Sequence, residues 1–513
     1  MHKCLLVPEL LRTILAHATT VEKETPGPLP PPAAYWPANP PRRETKSANP
    51  VAIALTCRTF LEPALDIIWH GIPCVDVLEA CLPPPAAQDS SSWERLHYYA
   101  DRVREFGLVN IKYTYLAQRN NSSILNRLVE SKIQLFPNLI TLCVQDKQIL
   151  SVLDFFVAGK LKTIRLSSIY EYLDRQSPPL ARIETLNCPS LRFFSISSCN
   201  FSADEILSLS KMIRHFTGVL HVHLDGRKEF PWSSDLIAHL STIPSLQSIS
   251  VAHATPDPST LRAGFSALQS FSFVFPDTST FFRRLDSIES TELSKISAHI
   301  HGVAPSEDRA PIQLALLKIR DRLQAAPAAE VDLQENGIGI HSQPNALDTP
   351  IISLEPLLDL RNLTSLTLRL HRLMEVDDAL LQTMALAWPR LRKLSLSNCC
   401  AGPNDAKITL AGLLPLASHC NELEHCSLII DADTVPENYL ERPARRCRNP
   451  VRYLDFGGSR VKNPYFVAAY LSDLFPQLKI VSGYHDNGGW RLVGQLIKMF
   501  CAVRRQERID AGN

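Results

Sequence analysis

Four residues in the last quarter of the chain, His419, Cys420, His425 and Cys426, have the side-chain types that hold zinc. They straddle a helix end and the start of a strand. Cys420 and Cys426 also fall where an apolar repeat calls for small buried residues, so the set reads as core rather than as a metal site. The chain contains no His-Glu-x-x-His, no Gly-x-x-x-x-Gly-Lys, no Gly-x-Ser-x-Gly and no paired Cys-x-x-Cys. Two basic clusters, Arg442, Arg445, Arg446 and Arg448, then Arg504, Arg505 and Arg508, lack interleaved aromatic residues that could stack on bases. They read as a solvated loop and a solvated tail. No residue is assigned to catalysis, metal ligation or cofactor binding, and the chain is expected not to be an enzyme.

The composition agrees with a binding role. The 513 residues carry a formal net charge of +1, with 45% hydrophobic and 20% charged residues. Such a balance gives no overall attraction to nucleic acid or to an anionic membrane. No apolar run approaches the ~20 residues that span a bilayer, and Pro8, Glu9 and Arg12 interrupt the one N-terminal stretch that could resemble a signal peptide. The 13 cysteines lack the spacing of a disulfide framework. They read as reduced core thiols, which places the chain in the cytoplasm or nucleus.

From about residue 135 the chain repeats itself. Leu191-x-x-Phe194-x-Ile196-x-x-Cys199 and Leu391-x-x-Leu394-x-Leu396-x-x-Cys399 each follow a proline, Pro189 and Pro389. Looser copies start at Leu139, Leu161, Val219, Leu246, Leu268, Leu363, Leu423, Val451 and Leu478. Apolar residues at the fourth and sixth positions of each copy point to one side of a strand, and the first turns in from the preceding loop. Helical patterns follow over 202–216, 234–243, 277–288, 376–388, 409–419 and 463–475. Strands alternating with helices predict a curved parallel sheet with helices outside it, the pattern of leucine-rich repeats. A single repeat cannot bury enough apolar surface to offset the ordering of its own chain, so the copies must stack. The gap from Leu268 to Leu363 is long enough for degenerate repeats, with a helix expected over 311–323, while 336–349 reads as a loop.

Two further segments precede the repeats. In Cys4-Leu5-Leu6-Val7-Pro8-Glu9-Leu10-Leu11-Arg12-Thr13-Ile14-Leu15, Pro8 suits the first turn of a helix and Glu9 suits its positive end. Leu10, Leu11, Ile14 and Leu15 then form one apolar stripe. In Ala54-Leu55-Thr56-Cys57-Arg58-Thr59-Phe60, continuing through Ala64-Leu65-Asp66-Ile67-Ile68-Trp69, the apolar content is too high for a helix exposed on all sides. Between them, residues 25–47 carry eight prolines and cannot be helical.

Taken together, the two segments resemble the halves of an F-box, and the whole chain is similar to F-box/leucine-rich-repeat receptors of the fungal F-box domain-containing type. The proline-rich insert departs from the compact family pattern. The resemblance implies an α/β architecture: an F-box-like helical module over 1–72 with its insertion at 25–47, a helical connector or cap over 73–134, a leucine-rich-repeat solenoid over 135–485 with an irregular segment at 300–350, and a C-terminal helix and basic tail over 486–513. It implies that Leu5, Pro8, Glu9, Leu10, Leu11, Ile14, Leu15, Leu55, Cys57 and Phe60 dock a Skp-type adaptor that brings a cullin complex. The repeats would then hold a protein substrate, with no cofactor, nucleic acid or membrane involved. The competing expectation is a non-catalytic scaffold whose N-terminal helices only cap the repeats.

Overall fold

The computed structural model describes residues 11, 13, 49–82, 93–107, 125, 127, 130, 134–145, 147–157, 159–167, 183–184, 186–197, 199, 201–226, 231–253, 263–301, 310–336, 351–370, 374–398, 406–433, 449–483 and 488–510. The chain divides into two units, Met1–Gly218 and Val219–Asn513.

The first unit opens with helices α1 (Pro50–Ala54) and α2 (Arg58–Ile68), then strand β1 (Gly71–Ile72), a 3-10 turn (Val75–Cys81), helix α3 (Glu94–Ala100) and strand β2 (Glu105–Phe106). Strand β3 (Thr141–Val144), helix α4 (Lys147–Ser151), strands β4 (Thr163–Ser167) and β5 (Phe193–Ser197) and helix α5 (Ala203–Ile213) complete it. The five strands pair in chain order, all parallel. One inward row runs Ile72, Phe106, Leu142, Ile164, Phe194 across the register, and every member is buried. Phe106 packs on Phe136 and Phe156 at ring separations of 5.5 and 5.1 Å. Gly107 leaves β2 at φ +75°, and a Cβ there would stand 1.9 Å from the Cys143 carbonyl oxygen, so the turn requires glycine.

Parallel pairing therefore begins at Gly71, well ahead of residue 135. The early copies are short: Trp69-x-x-Ile72 and Val103-x-x-Phe106 show only two apolar positions each, too few to stand out as repeats in the sequence.

The described residues of the second unit form ten strands, again parallel and in chain order. They are β6 (His221–Leu224), β7 (Ser248–Val251), β8 (Ser270–Phe275), β9 (Lys295–His301), β10 (Ala329–Asn336), β11 (Leu363–Leu370), β12 (Lys393–Asn398), β13 (His425–Ser427), β14 (Tyr453–Asp455) and β15 (Ile480–Ser482). Helices α6 (Ser234–Ser241), α7 (Thr278–Asp286), α8 (Ala310–Leu323), α9 (Glu355–Leu358), α10 (Asp378–Ala387), α11 (Leu413–His419), α12 (Pro464–Leu474) and α13 (Gly489–Asp510) lie between or after them. This alternation is the leucine-rich-repeat arrangement the periodicity predicts. The inward row passes through Phe271, Ile296, Val331, Leu366, Leu394 and Cys426, all buried.

Helix starts follow from the polar residue that precedes each one. Ser202 Oγ accepts from the Glu205 N–H at 3.3 Å while Glu205 Oε2 accepts from the Ser202 N–H at 2.8 Å, a reciprocal capping box. Asp277 and Asp377 cap α7 and α10 by accepting from the N–H groups of Thr280 and Leu380 at 2.7 and 2.8 Å.

The gap from Leu268 to Leu363 is filled by two further strands, β9 and β10, with helix α8 where one was expected over 311–323. The segment 300–350, expected to be irregular, thus contains both that helix and the eight-residue β10. Strand β10 escapes the motif because Ala329 stands where the repeat has leucine and the register slips by one residue between Ala329 and Glu330. Of the loop expected over 336–349, Asn336 is the last residue of β10 and the rest lies outside the described residues.

Candidate interaction surfaces

The N-terminal helices are built as a supported platform. Asn49 Oδ1 accepts from the Val51 N–H at 3.0 Å and Pro50 occupies the first turn, so α1 starts sharply despite its length of 5 residues. Helix α2 is held from one side. Arg102 donates to both Glu62 and Asp66, Tyr98 Oη donates to Glu62 Oε1 at 2.6 Å, and the Arg102 guanidinium lies 4.7 Å over the Tyr98 ring. Burial alone would lower the pKa of Arg102, but the two carboxylates outweigh it and the net shift is upward. Trp69, just past α2, stacks on Tyr99 at 4.6 Å.

Held this way, α1 and α2 leave apolar groups in water. Val51, Leu55 and Leu61 are 51%, 81% and 38% exposed, and α1 contains no buried residue. Of the adaptor-contact residues implied by the resemblance, Leu55 is exposed and Cys57 and Phe60 are half-buried. Leu11 is buried. Leu5, Pro8, Glu9, Leu10, Ile14 and Leu15 lie outside the described residues, as does the insert at 25–47. The Glu62, Asp66 and Arg102 cluster was not assigned from the sequence. Its signal is the pair of carboxylates one helical turn apart, which repel unless a cation lies between them.

In the second unit, the solvent side of the strands is a second surface. Register aligns Ser272, Ser297, Asp332, Thr367, Ser395 and Ser427, and the row continues to Asp455 and Ser482. Small hydroxyl groups dominate it; Ser297 and Thr367 are buried and the other six positions are half-buried. Asp332 accepts from Gln334 Nε2 at 2.9 Å and from Ser297 Oγ at 3.5 Å. Asp455 accepts from Ser482 Oγ at 2.9 Å and Ser427 Oγ at 3.4 Å. One step toward the strand starts, Lys295 and Glu330 form an ion pair at 2.8 Å. Burial lowers the pKa of His299 beside them, with Asp332 opposing and Arg369 adding to the shift. Read residue by residue, these positions show no shared chemistry; the hydroxyl row emerges only once the register places them side by side.

The four metal-type residues do not converge. Cys420 and Cys426 are buried, whereas His419 and His425 are exposed. Burial raises the Cys420 thiol to about 12 and the Cys426 thiol further still, and Cys420 Sγ faces the carbonyls of Trp388 and Ala385 at 3.6 and 3.8 Å. These are structural thiols. Among the described residues no group of three or more His, Cys, Asp or Glu is placed to hold a metal ion. Of the basic clusters, Arg442, Arg445, Arg446 and Arg448 lie outside the described residues. Arg504 is committed to Asp473 at 2.7 Å and to the Ala469 carbonyl at 3.2 Å. No helix among the described residues is long and apolar enough to cross a membrane.

No protein-family model matches the chain, and no curated protein matches it. Among solved structures it is similar to a chain of the Rad7 and Elc1 complex of yeast, with 15% identity, TM-score 0.36, and coverage of 74% of this chain and 84% of that one. It is also similar to a chain of the TLR13–ssRNA13 complex, with 11% identity, TM-score 0.33, and coverage of 76% and 53%. The strand and helix order of the described residues is itself that of a leucine-rich-repeat chain.

Proposed function

We propose that the chain is the substrate-recognition subunit of an SCF-type ubiquitin ligase. In this reading α1, α2 and the segment 4–15 dock a Skp-type adaptor attached to a cullin complex, and the solvent side of the strands holds a protein substrate. The observation that carries the reading is the exposure of Val51 on α1, of Leu55 at its end and of Leu61 on α2, the helix that Arg102 pins. Rigid helices with apolar side chains in water lower the ordering cost of docking. The hydroxyl row suits a protein partner, because short side chains let a folded surface or an extended backbone approach the sheet closely. The chain would contribute proximity rather than catalysis, raising the local concentration of substrate near the ubiquitin-charged enzyme.

The burial of Leu11 favours the second reading, a non-catalytic scaffold whose N-terminal helices close the end of the repeats. A pull-down of the full chain with purified Skp-type adaptor separates the two. Retention of the adaptor, lost in the Leu10→Asp, Ile14→Asp double variant with an unchanged circular dichroism spectrum, supports the ligase reading. Absence of retention by the intact chain supports the scaffold.

A further inference from the structure

Helix α13 spans Gly489–Asp510 and carries two apolar stripes. The inner one, Trp490, Val493 and Ile497, is buried. Trp490 stacks on Phe456 at 4.6 Å and donates from Nε1 to the Ser459 carbonyl at 2.8 Å, which fixes the rotation of the helix about its axis. That rotation turns a second stripe outward. Leu492, Leu496, Met499 and Val503 follow one another at steps of four, three and four residues, the spacing of a helix-pairing seam. Leu492 and Leu496 are half-buried, while Met499 and Val503 are 64% and 53% exposed. The stripe runs about 16 Å along the axis, three helical turns.

Isolated exposed leucines such as Leu207 on α5 or Leu386 on α10 are ordinary surface features. Four apolar residues in heptad register on one helix are not. Beside the seam, Arg491, Gln495 and Lys498 are exposed on one edge, and neither cation forms an ion pair among the described residues. The other edge of the seam merges with the buried stripe. A partner helix would therefore rest between the body of the unit and a row of uncommitted positive charge.

We propose that Leu492, Leu496, Met499 and Val503 form a docking seam for an amphipathic helix of a partner protein whose apolar stripe is flanked by acidic residues. Charge decides against a second copy of this chain, since antiparallel pairing centred on the seam would bring Lys498 of one copy against Lys498 of the other. The seam shares no residue with the adaptor and substrate surfaces and does not depend on the ligase reading.

The test uses the full chain and a designed three-heptad helical peptide with leucine and isoleucine on its stripe and glutamate on both flanks, followed by fluorescence anisotropy. Saturable binding is expected, weakened roughly tenfold or more by Met499→Asp with Val503→Asp, and weakened several-fold by Arg491→Glu with Lys498→Glu or by raised salt. A peptide with lysine in place of glutamate should bind far less. All four positions in the variants are exposed, so the fold is expected to survive, and circular dichroism checks this. Equal binding of the two peptides, or binding untouched by Met499→Asp with Val503→Asp, overturns the proposal. So does seam-dependent binding to phosphatidylserine vesicles without peptide binding, which marks a membrane surface, or seam-dependent dimers in sedimentation, which mark self-association.

Discussion

Tyr98 Oη donates to Glu62 Oε1 at 2.6 Å, joining a helix of the N-terminal module to the helix that precedes β2. The same carboxylate receives Arg102, which also holds Asp66. The platform helix is thereby tied to the start of the sheet by a bonded cluster rather than by apolar contact alone. Arg102→Leu removes the cation shared by two carboxylates four residues apart and should cost about 2–3 kcal/mol. Tyr98→Phe removes one partly exposed bond and should cost about 1 kcal/mol. Urea unfolding followed by tryptophan fluorescence measures both, and equal midpoints for the two variants contradict the ordering.

Asn449 closes a helix end. Its Nδ2 donates to the carbonyls of Leu416, Ala417 and Cys420 at 3.4, 3.3 and 3.0 Å, and its Oδ1 accepts from the Val451 N–H at 3.1 Å, all in the buried interior. Asn449→Leu strands those backbone groups away from water and should destabilise the second unit by roughly 3 kcal/mol. A thermal or urea midpoint within error of the parent refutes this.

Gly107→Ala should be among the most damaging small substitutions in the first unit. The added methyl group meets the Cys143 carbonyl at 1.9 Å and the residue keeps φ at +75°, so β2 must move away from β3. A cost of about 3 kcal/mol or more is expected in urea unfolding.

Stability should fall in mild acid because of half-buried imidazoles. Burial lowers the pKa of His223, against Asp225, and that of His299, so the folded chain favours their neutral forms. The unfolded chain, with the ordinary value near 6.5, binds protons first as pH drops. The stabilising contribution is thus complete above about 6.5 and is lost as pH falls through the folded values. Comparing urea midpoints at pH 7.5 and pH 5.5 should show a decrease, and His299→Gln should make that decrease smaller. A variant that keeps the full decrease removes His299 from the explanation.

The repeats were legible because the sheet forces an apolar side chain into the same place in each turn. The copies beginning at Leu161, Leu191, Leu246 and Leu423 each fall two residues before the first residue of a strand. Helices α5, α7 and α12 appear within a few residues of their expected spans because Ser202, Asp277 and Asn463 mark their starts. What stayed hidden depends on contacts between distant residues. Strand β10 shows in the sequence only as a possible degenerate copy at Glu330–Leu333 because Ala329 takes the leucine position, β1 and β2 hide behind copies with two apolar positions each, and the Arg102 cluster hides behind a separation of 36 residues from Asp66. A stripe such as that of Leu10, Leu11, Ile14 and Leu15 says which residues want cover but not what covers them, and Leu11 is covered within the chain itself.

The most direct test of the ligase reading is the affinity of the full chain for a purified Skp-type adaptor, measured by isothermal titration calorimetry beside the Leu55→Asp, Leu61→Asp double variant. Both leucines are exposed, so the variant should unfold at the parent's urea midpoint. The account predicts a one-to-one complex with the parent and at least a tenfold loss of affinity, about 1.4 kcal/mol, in the variant. No heat of binding with the folded parent, or identical affinities for parent and variant, would contradict it.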